Sequence, residues 1–303
     1  MVNKSNSDFF FPYKYVREPA AFGSSTTNIS DSPLWDRPGA PVFGPIMPPA
    51  DSLDALMKAW PLSPDDILTK NHRCGRDGWK PSPRTETADV IAGDDVGFSI
   101  ERYTLDGSQA NSKSYNYIGH IGPGLVYIAK KPDGVELSQW DGDGDWVKID
   151  YHGPASNDSW SLFNKKEYNC THAPHLIRFL FTDPRLVVTI PRTTPPGQYL
   201  LRVEQIYPSE KNWTQFYVNC AQINIIGPGG GALLRRIPLS CQTDENTGKP
   251  TQFAKFPGAY KADDPGLVVP DGEEIEHSTL VEDVKWVHGF SSYVPPGPPV
   301  WSG

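Results

Sequence analysis

Between Asp95 and Ile226 short, mostly apolar runs recur between polar, turn-forming stretches. The runs are DVGFSIERY (95–103), GLVYIAK (124–130), WVKIDY (146–151), RLVVTI (185–190), QYLLRVEQI (198–206) and TQFYVNCAQINII (214–226). Their β-branched and aromatic residues suit a pleated, half-buried surface, so each is read as a strand. Turn formers separate them: DGSQ at 106–109, KKPDG at 130–134, DGDGD at 141–145 and TTPPG at 193–197. An aromatic run, FFFPYKYV (9–16), has the same character. The helical signal lies in SLDALMKAW (52–60). There Leu53, Leu56, Met57 and Trp60 share a face, Ser52 is a suitable N-cap, and packing is the expected role. That segment interrupts a loop-like stretch from Ser24 to Asn71. After GPGGG (227–231) the chain turns loop-rich and closes with YVPPGPPVWSG. No long helical pattern divides the strands, so the predicted fold is all-β: an antiparallel β-sandwich with long loops.

QFYVNC shows what such a strand can present. Phe216, Val218 and Cys220 fall on one face, as a core requires, and Gln215 and Tyr217 lie side by side on the other. Polar residues on the outer face of a half-exposed strand need no function, so the pair gains weight only from its surroundings.

Composition narrows the partners. The chain has 303 residues, enough for one large β-domain or two ordinary ones, with 31 Pro, 27 Gly, 9 Trp, 13 Tyr and 13 Phe. That aromatic content argues against disorder. A net charge of −8 argues against nucleic acid as a partner, and an acidic, aromatic surface suits a neutral polymer such as a polysaccharide. No segment has the length of a transmembrane span. Four cysteines permit two disulfides, and sequons at Asn3, Asn28, Asn157, Asn169 and Asn212 favour a secreted protein. The N-terminus, MVNKSNSDFF, lacks a charged-then-apolar signal region. Either the protein is not secreted or the true start lies upstream.

Several motifs fail their own tests. Asp141, Asp143 and Asp145 have the spacing that opens a calcium loop, but His152 stands where the closing acidic ligand belongs, so a tight hairpin turn is expected. GPGGG lacks the Gly-Lys-Ser/Thr of a phosphate cradle and reads as a flexible turn. There is no Gly-x-Ser-x-Gly elbow. The acidic groups from Glu136 to Asp145 and at Asp263 and Asp264 sit in turns and identify no glycosidase pair. His120, ahead of a Gly-Pro turn and an apolar strand, is more suggestive. Most loop histidines are simply solvated. If the fold brings Tyr217 and Gln215 close, however, imidazole can ligate copper, a phenol oxygen can serve as a long axial ligand, and an amide can hold an oxygen species by hydrogen bonding.

Six stretches taken together carry a family resemblance: AGDDVGF, HIGPGLVYIAK, IPRTTPPGQYLLRVEQI, TQFYVNCAQINIIGPGGG, FAKFPGAYKADDPG and YVPPGPPVWSG. Their order and spacing resemble the fungal lytic polysaccharide monooxygenases of auxiliary activity family nine, from Cys74 to the C-terminus and more weakly over residues 2–19. The resemblance implies an immunoglobulin-like β-sandwich, as a single domain over 1–303, with a flat face that lies on cellulose. It implies one copper ion in a histidine brace, an external electron donor, and O2 or H2O2 as oxidant for hydroxylating a C–H bond at a glycosidic link. By position, His120 resembles the second brace histidine, Tyr217 the axial tyrosine and Gln215 the glutamine beside it. Tyr293 resembles a flat-face aromatic that stacks on glucose rings. The resemblance also pairs Cys74 with Cys220 and leaves Cys170 and Cys241 as a second pair.

The chain departs from the family at three places. The N-terminal brace histidine is missing; the start at Met1-Val2-Asn3 matches an internal turn of the family, so an upstream histidine and signal peptide are expected. The loop within QIYPSEKNWT (205–214) lacks the family's histidine, which puts proton delivery in question. Segments at about 33–68 and 232–250 look inserted. The expectation is therefore a secreted, monomeric, copper-dependent enzyme that cleaves cellulose or a related β-glucan oxidatively. The alternative is a non-catalytic glucan-binding or cell-surface protein on the same sandwich. A glycoside hydrolase comes third.

Overall fold

Five strands form the main sheet, and the order in which they lie places the ends of β10 and β11 together. In the computed structural model the described residues are 15–17, 61–99, 121–157, 159–162, 165–168, 178–181, 185–208, 214–227, 250, 252–268 and 290–303. The strands are β1 (Ala88–Ile91), β2 (Asp95–Ser99), β3 (Gly124–Lys130), β4 (Val147–His152), β5 (Pro154–Ser156), β6 (Ser159–Trp160), β7 (Lys165–Tyr168), β8 (Arg178–Phe181), β9 (Arg185–Thr189), β10 (Gly197–Tyr207) and β11 (Gln215–Ile226). The main sheet runs β1-β11-β10-β3-β4, and β2-β9, β5-β6 and β7-β8 form two-stranded sheets. Every pair is antiparallel except β1 with β11, which is parallel. β1 lies at the sheet edge and reaches β11 through the long intervening chain, which a parallel pairing requires. The helical signal at 52–60 lies outside the described residues.

Alternation on the central strands divides the core in two. Val126, Ile128, Leu201, Val203, Ala221, Ile223 and Ile225 pack against Phe98, Leu186, Val188 and Ile190 of the β2-β9 layer. The opposite face holds Leu125, Tyr127, Leu200, Phe216, Val218 and Cys220, and loops cover it with Trp140, Trp146, Phe256, Tyr260 and Leu267. β3 is buried on both faces, so it reads as a continuous apolar run rather than an alternating one. The one-turn helix α1 (Asn71–Cys74) is fastened to the loop-covered face by a disulfide between Cys74 and Cys220. A cross-link over a long loop adds roughly 2–4 kcal/mol in the usual range.

That face also buries charge. Arg202 and Glu204, two residues apart on β10, point the same way and are fully buried. Arg202 donates from both terminal nitrogens to the Glu204 carboxylate, each at 2.9 Å. His72 Nε2 lies 3.0 Å from Glu204 Oε1, and the Tyr260 hydroxyl donates to Oε2 at 2.5 Å. Burial alone would raise the Glu204 pKa, but the Arg202 charge overrides it and holds the carboxyl far below its ordinary range.

The stretch 141–145 is not the hairpin turn expected of DGDGD. β3 and β4 do pair, but the long connection between them carries a 3-10 turn (Leu137–Gln139) and then an anchoring loop. Arg73 binds Asp141 at 2.6 Å and Asp143 at 3.0 Å, Lys70 binds Asp141 at 3.1 Å, and Lys255 binds Asp145 at 2.9 Å. The acidic residues serve two lysines and an arginine from two other segments, an arrangement that local turn chemistry does not reveal. Part of the 33–68 stretch is built into the core: Leu62 exchanges backbone hydrogen bonds with Phe216, both at 3.0 Å, and Ile67 is fully buried.

Candidate functional site

The start of β11 is fixed from both sides. Leu62 pairs with Phe216, whose ring is buried, and the Thr214 hydroxyl donates to the Leu267 carbonyl at 2.5 Å. With Phe216 anchored inward, the strand period turns Gln215 and Tyr217 to the opposite face, where both are half-buried. The Tyr217 hydroxyl donates to Gln215 Oε1 at 2.5 Å. Burial, and next the nearby Tyr207, push the Tyr217 pKa well above that of a free phenol, so the group stays neutral.

β10 supplies the other half. It ends in Gln205-Ile206-Tyr207, and β11 begins with Gln215-Phe216-Tyr217. The antiparallel register sets Gln205 opposite Tyr217 and Tyr207 opposite Gln215. Two Gln-x-Tyr tripeptides thus meet head to tail at one end of the sheet. Gln205 and Tyr207 were not among the sequence candidates, although the repeated spacing at facing strand ends is a readable signal.

The next contacts lead to the chain beside His120. His120 itself lies outside the described residues. Its neighbour Ile121 accepts a hydrogen bond from Gln205 Nε2 at 3.4 Å, and the Pro123 carbonyl accepts the Ile206 N–H at 3.0 Å. Between them Gly122 has φ +136°, and a Cβ there would lie 2.0 Å from the Ile206 carbonyl oxygen, so only glycine fits. Residues 121–123 are therefore stitched to the end of β10, opposite Tyr217.

Tyr293 belongs to the same end. Its ring meets Trp160 edge-on at 5.0 Å and stacks at 6.4 Å on Tyr151, while Ile121 packs against the cluster of Trp160 and Phe290. The Tyr293 hydroxyl donates to the Gly266 carbonyl at 2.7 Å, next to the Leu267 carbonyl that Thr214 uses. Tyr293 is half-buried, and burial pushes its pKa well up, so it presents part of a ring held rigidly by its hydroxyl.

Asn157 is exposed on the turn between β5 and β6. Cys170, Cys241, Asn3, Asn28, Asn169 and Asn212 lie outside the described residues, as does the loop at 209–213. Among the described residues no group of three His, Cys, Asp or Glu gathers as a metal site. The donor chemistry at this end fits a copper ion: a neutral phenol is a weak oxygen donor, and Gln215 fixes the direction of its O–H.

The sequence profile of AA9, Auxiliary Activity family 9 (formerly GH61), matches residues 52–278. The AA9 family lytic polysaccharide monooxygenase U of Thermothielavioides terrestris is 40% identical over 238 residues, covering 78% of this chain and 75% of that protein. The AA9 family lytic polysaccharide monooxygenase C of Emericella nidulans is 30% identical over 246 residues, covering 79% and 78%. Among solved structures, the extended catalytic domain of H. jecorina LPMO9A superposes with a TM-score of 0.54 at 21% identity, over 94% of this chain and 85% of that one. The crystal structure of HiLPMO9B gives a TM-score of 0.50 at 23% identity, over 81% and 84%. At these identities the structural likeness is one of fold.

Proposed function

Because this chain belongs to Auxiliary Activity family 9, we propose that His120, Gln215 and Tyr217 serve a copper centre at the shared end of β10 and β11, directed at cellulose or a related β-glucan. The chain is a lytic polysaccharide monooxygenase, an oxidoreductase that cleaves polysaccharide oxidatively. No observation favours a non-catalytic role on the same sandwich. The observation that carries the residue assignment is the short Tyr217–Gln215 hydrogen bond, set opposite the segment that follows His120.

His120 would hold the ion through imidazole and Tyr217 through its neutral hydroxyl. Copper would supply one-electron redox chemistry toward O2 or H2O2, using electrons from an external donor. Gln215 fixes the direction of the Tyr217 O–H and so the direction of the oxygen's lone pairs. Gln205 ties the chain next to His120 to the strand that faces Tyr217, which limits how far the two ligands can drift apart. In place of the family's loop histidine, Gln205 and Tyr207 are the polar groups at the end of β10. Tyr293 would offer its ring to a glucose face, with Trp160 and Tyr151 holding it in place.

We also infer one domain across 1–303, with the segments at about 33–68 and 232–250 as insertions, secretion of a monomer, and a Cys170–Cys241 bridge. The test is mass spectrometry of soluble products from cellulose incubated with the secreted, copper-loaded protein and a reductant. Oxidised oligosaccharides are expected; none, with copper bound and reductant consumed, would remove cellulose as the substrate.

A further inference from the structure

The β5-β6 hairpin carries chemistry that the copper centre does not use. In the sequence that joins its strands, Asn157 and Ser159 form an Asn-x-Ser sequon. Ser156 pairs with Ser159 across the hairpin, their hydroxyls 2.6 Å apart, and Asn157 stands exposed between them. The same residue is fastened to the 3-10 turn Phe290–Ser292. The Phe290 N–H donates to the Asn157 backbone carbonyl at 3.2 Å, and the Ser291 hydroxyl donates to Asn157 Oδ1 at 2.6 Å. Among the described residues no hydrogen bond takes up Nδ2, the atom that N-glycosylation modifies.

The position matters because both flanks lead to Tyr293. Tyr293 directly follows the 3-10 turn and donates its N–H to Phe290 at 2.9 Å. Trp160, next after Ser159, is the buried ring that Tyr293 meets edge-on. Asn157 is therefore one hydrogen bond from Ser291, two residues short of Tyr293.

We propose that Asn157 carries an N-linked glycan whose bulk limits how closely the Tyr293 end of the protein can lie on a flat, insoluble glucan. The proposal rests on the reading of this end as the glucan-facing surface of a secreted protein. In the modification, Nδ2 attacks the anomeric carbon of an oligosaccharide linked to a lipid diphosphate. An N–C bond forms, the C–O bond to the diphosphate breaks, Nδ2 loses one proton and the lipid diphosphate leaves. No electrons are exchanged with an outside agent. A hydrated glycan at the rim collides with an extended crystalline plane, and such a clash lowers affinity as effectively as a lost contact.

The experiment uses the full-length protein secreted from a eukaryotic host. Peptide-level mass spectrometry reads occupancy at Asn157 separately from the other sequons. Partition onto microcrystalline cellulose is then compared for this protein, its endoglycosidase-treated form, Ser159→Ala, which destroys the sequon, and Ser159→Thr, which keeps it. An occupied Asn157 is expected, with the treated form and Ser159→Ala binding at least about threefold more strongly than the parent and Ser159→Thr. An unmodified Asn157 overturns the proposal, and so does equal binding by all four forms. A glycosylated protein that adheres to cellulose in no form overturns the glucan reading and this proposal with it.

Discussion

Tyr217 and Gln215 share a 2.5 Å hydrogen bond on the face of β11 opposite Cys220. One strand therefore holds a polar pair on one face at its start and locks a disulfide on the other face further along. Tyr217→Phe removes the phenol oxygen and Gln215→Leu removes the acceptor that orients it, while the disulfide face stays intact in both. Tyr217→Phe and Gln215→Leu should each slow release of oxidised oligosaccharides by about 10–100-fold. Each should cost only about 1 kcal/mol of stability, because one hydrogen bond is lost at a half-buried position. Product quantification beside urea unfolding checks both halves.

Gln205 acts through its neighbour rather than at the reacting atoms. Gln205→Leu keeps the bulk and removes the amide that reaches the Ile121 carbonyl. Copper affinity by calorimetry should fall about tenfold, with unfolding free energy lowered by about 1 kcal/mol. A full loss of folding, or unchanged affinity, would remove Gln205 as a positioning residue.

The buried Glu204 carboxylate has acid stability as its signature. Its folded pKa lies far below the ordinary 4.5, so the unfolded chain binds the proton first and stability falls as pH drops below about 4.5. His72, which burial holds below 6.5 against the opposing pull of Glu204, adds a decline that begins below pH 6.5. Glu204→Gln leaves Arg202 buried without its counter-charge and should cost about 3–5 kcal/mol at neutral pH. Denaturant unfolding at pH 4, 5.5 and 7 tests the slope and the loss.

Alkaline stability should follow Lys148. Burial lowers its pKa to about 8 from the ordinary 10.5, although its ammonium donates to the Pro296 carbonyl at 2.6 Å. Between those values the unfolded chain holds the extra proton, so stability should rise as pH rises from 8 toward 10. Above pH 10 the trend should reverse, because burial raises Tyr151 and Tyr199 to about 12 and the unfolded chain then loses protons first. In Lys148→Met the rise between pH 8 and 10 should disappear, as measured by thermal unfolding across that range.

Local strand pattern identified the strands of the main sheet other than β1 through their β-branched and aromatic runs, and the period of two in QFYVNC set Gln215 and Tyr217 on the face opposite Phe216 and Cys220. It said nothing of β1, whose four residues pair in parallel with a strand far along the chain. Nor did it expose the role of Asp141 and Asp143, whose partner Arg73 is distant in sequence. Arg202 and Glu204 are charged residues inside an otherwise apolar strand. Their burial depends on loops folding over them, and no strand pattern encodes that cover. Gln205 and Tyr207 were legible in principle from the repeated Gln-x-Tyr, but their pairing becomes visible only once the register of β10 on β11 is known.

The central claim is that His120 and Tyr217 share one metal ion at the end of the sheet. Its most direct test is copper titration of the native secreted protein, followed by calorimetry and electron paramagnetic resonance, beside His120→Ala and Tyr217→Phe. The account predicts one tightly bound copper per chain, affinity lowered by at least about 100-fold in His120→Ala, and an altered resonance with binding retained in Tyr217→Phe. Copper bound with the same affinity and the same resonance in His120→Ala as in the parent would contradict it.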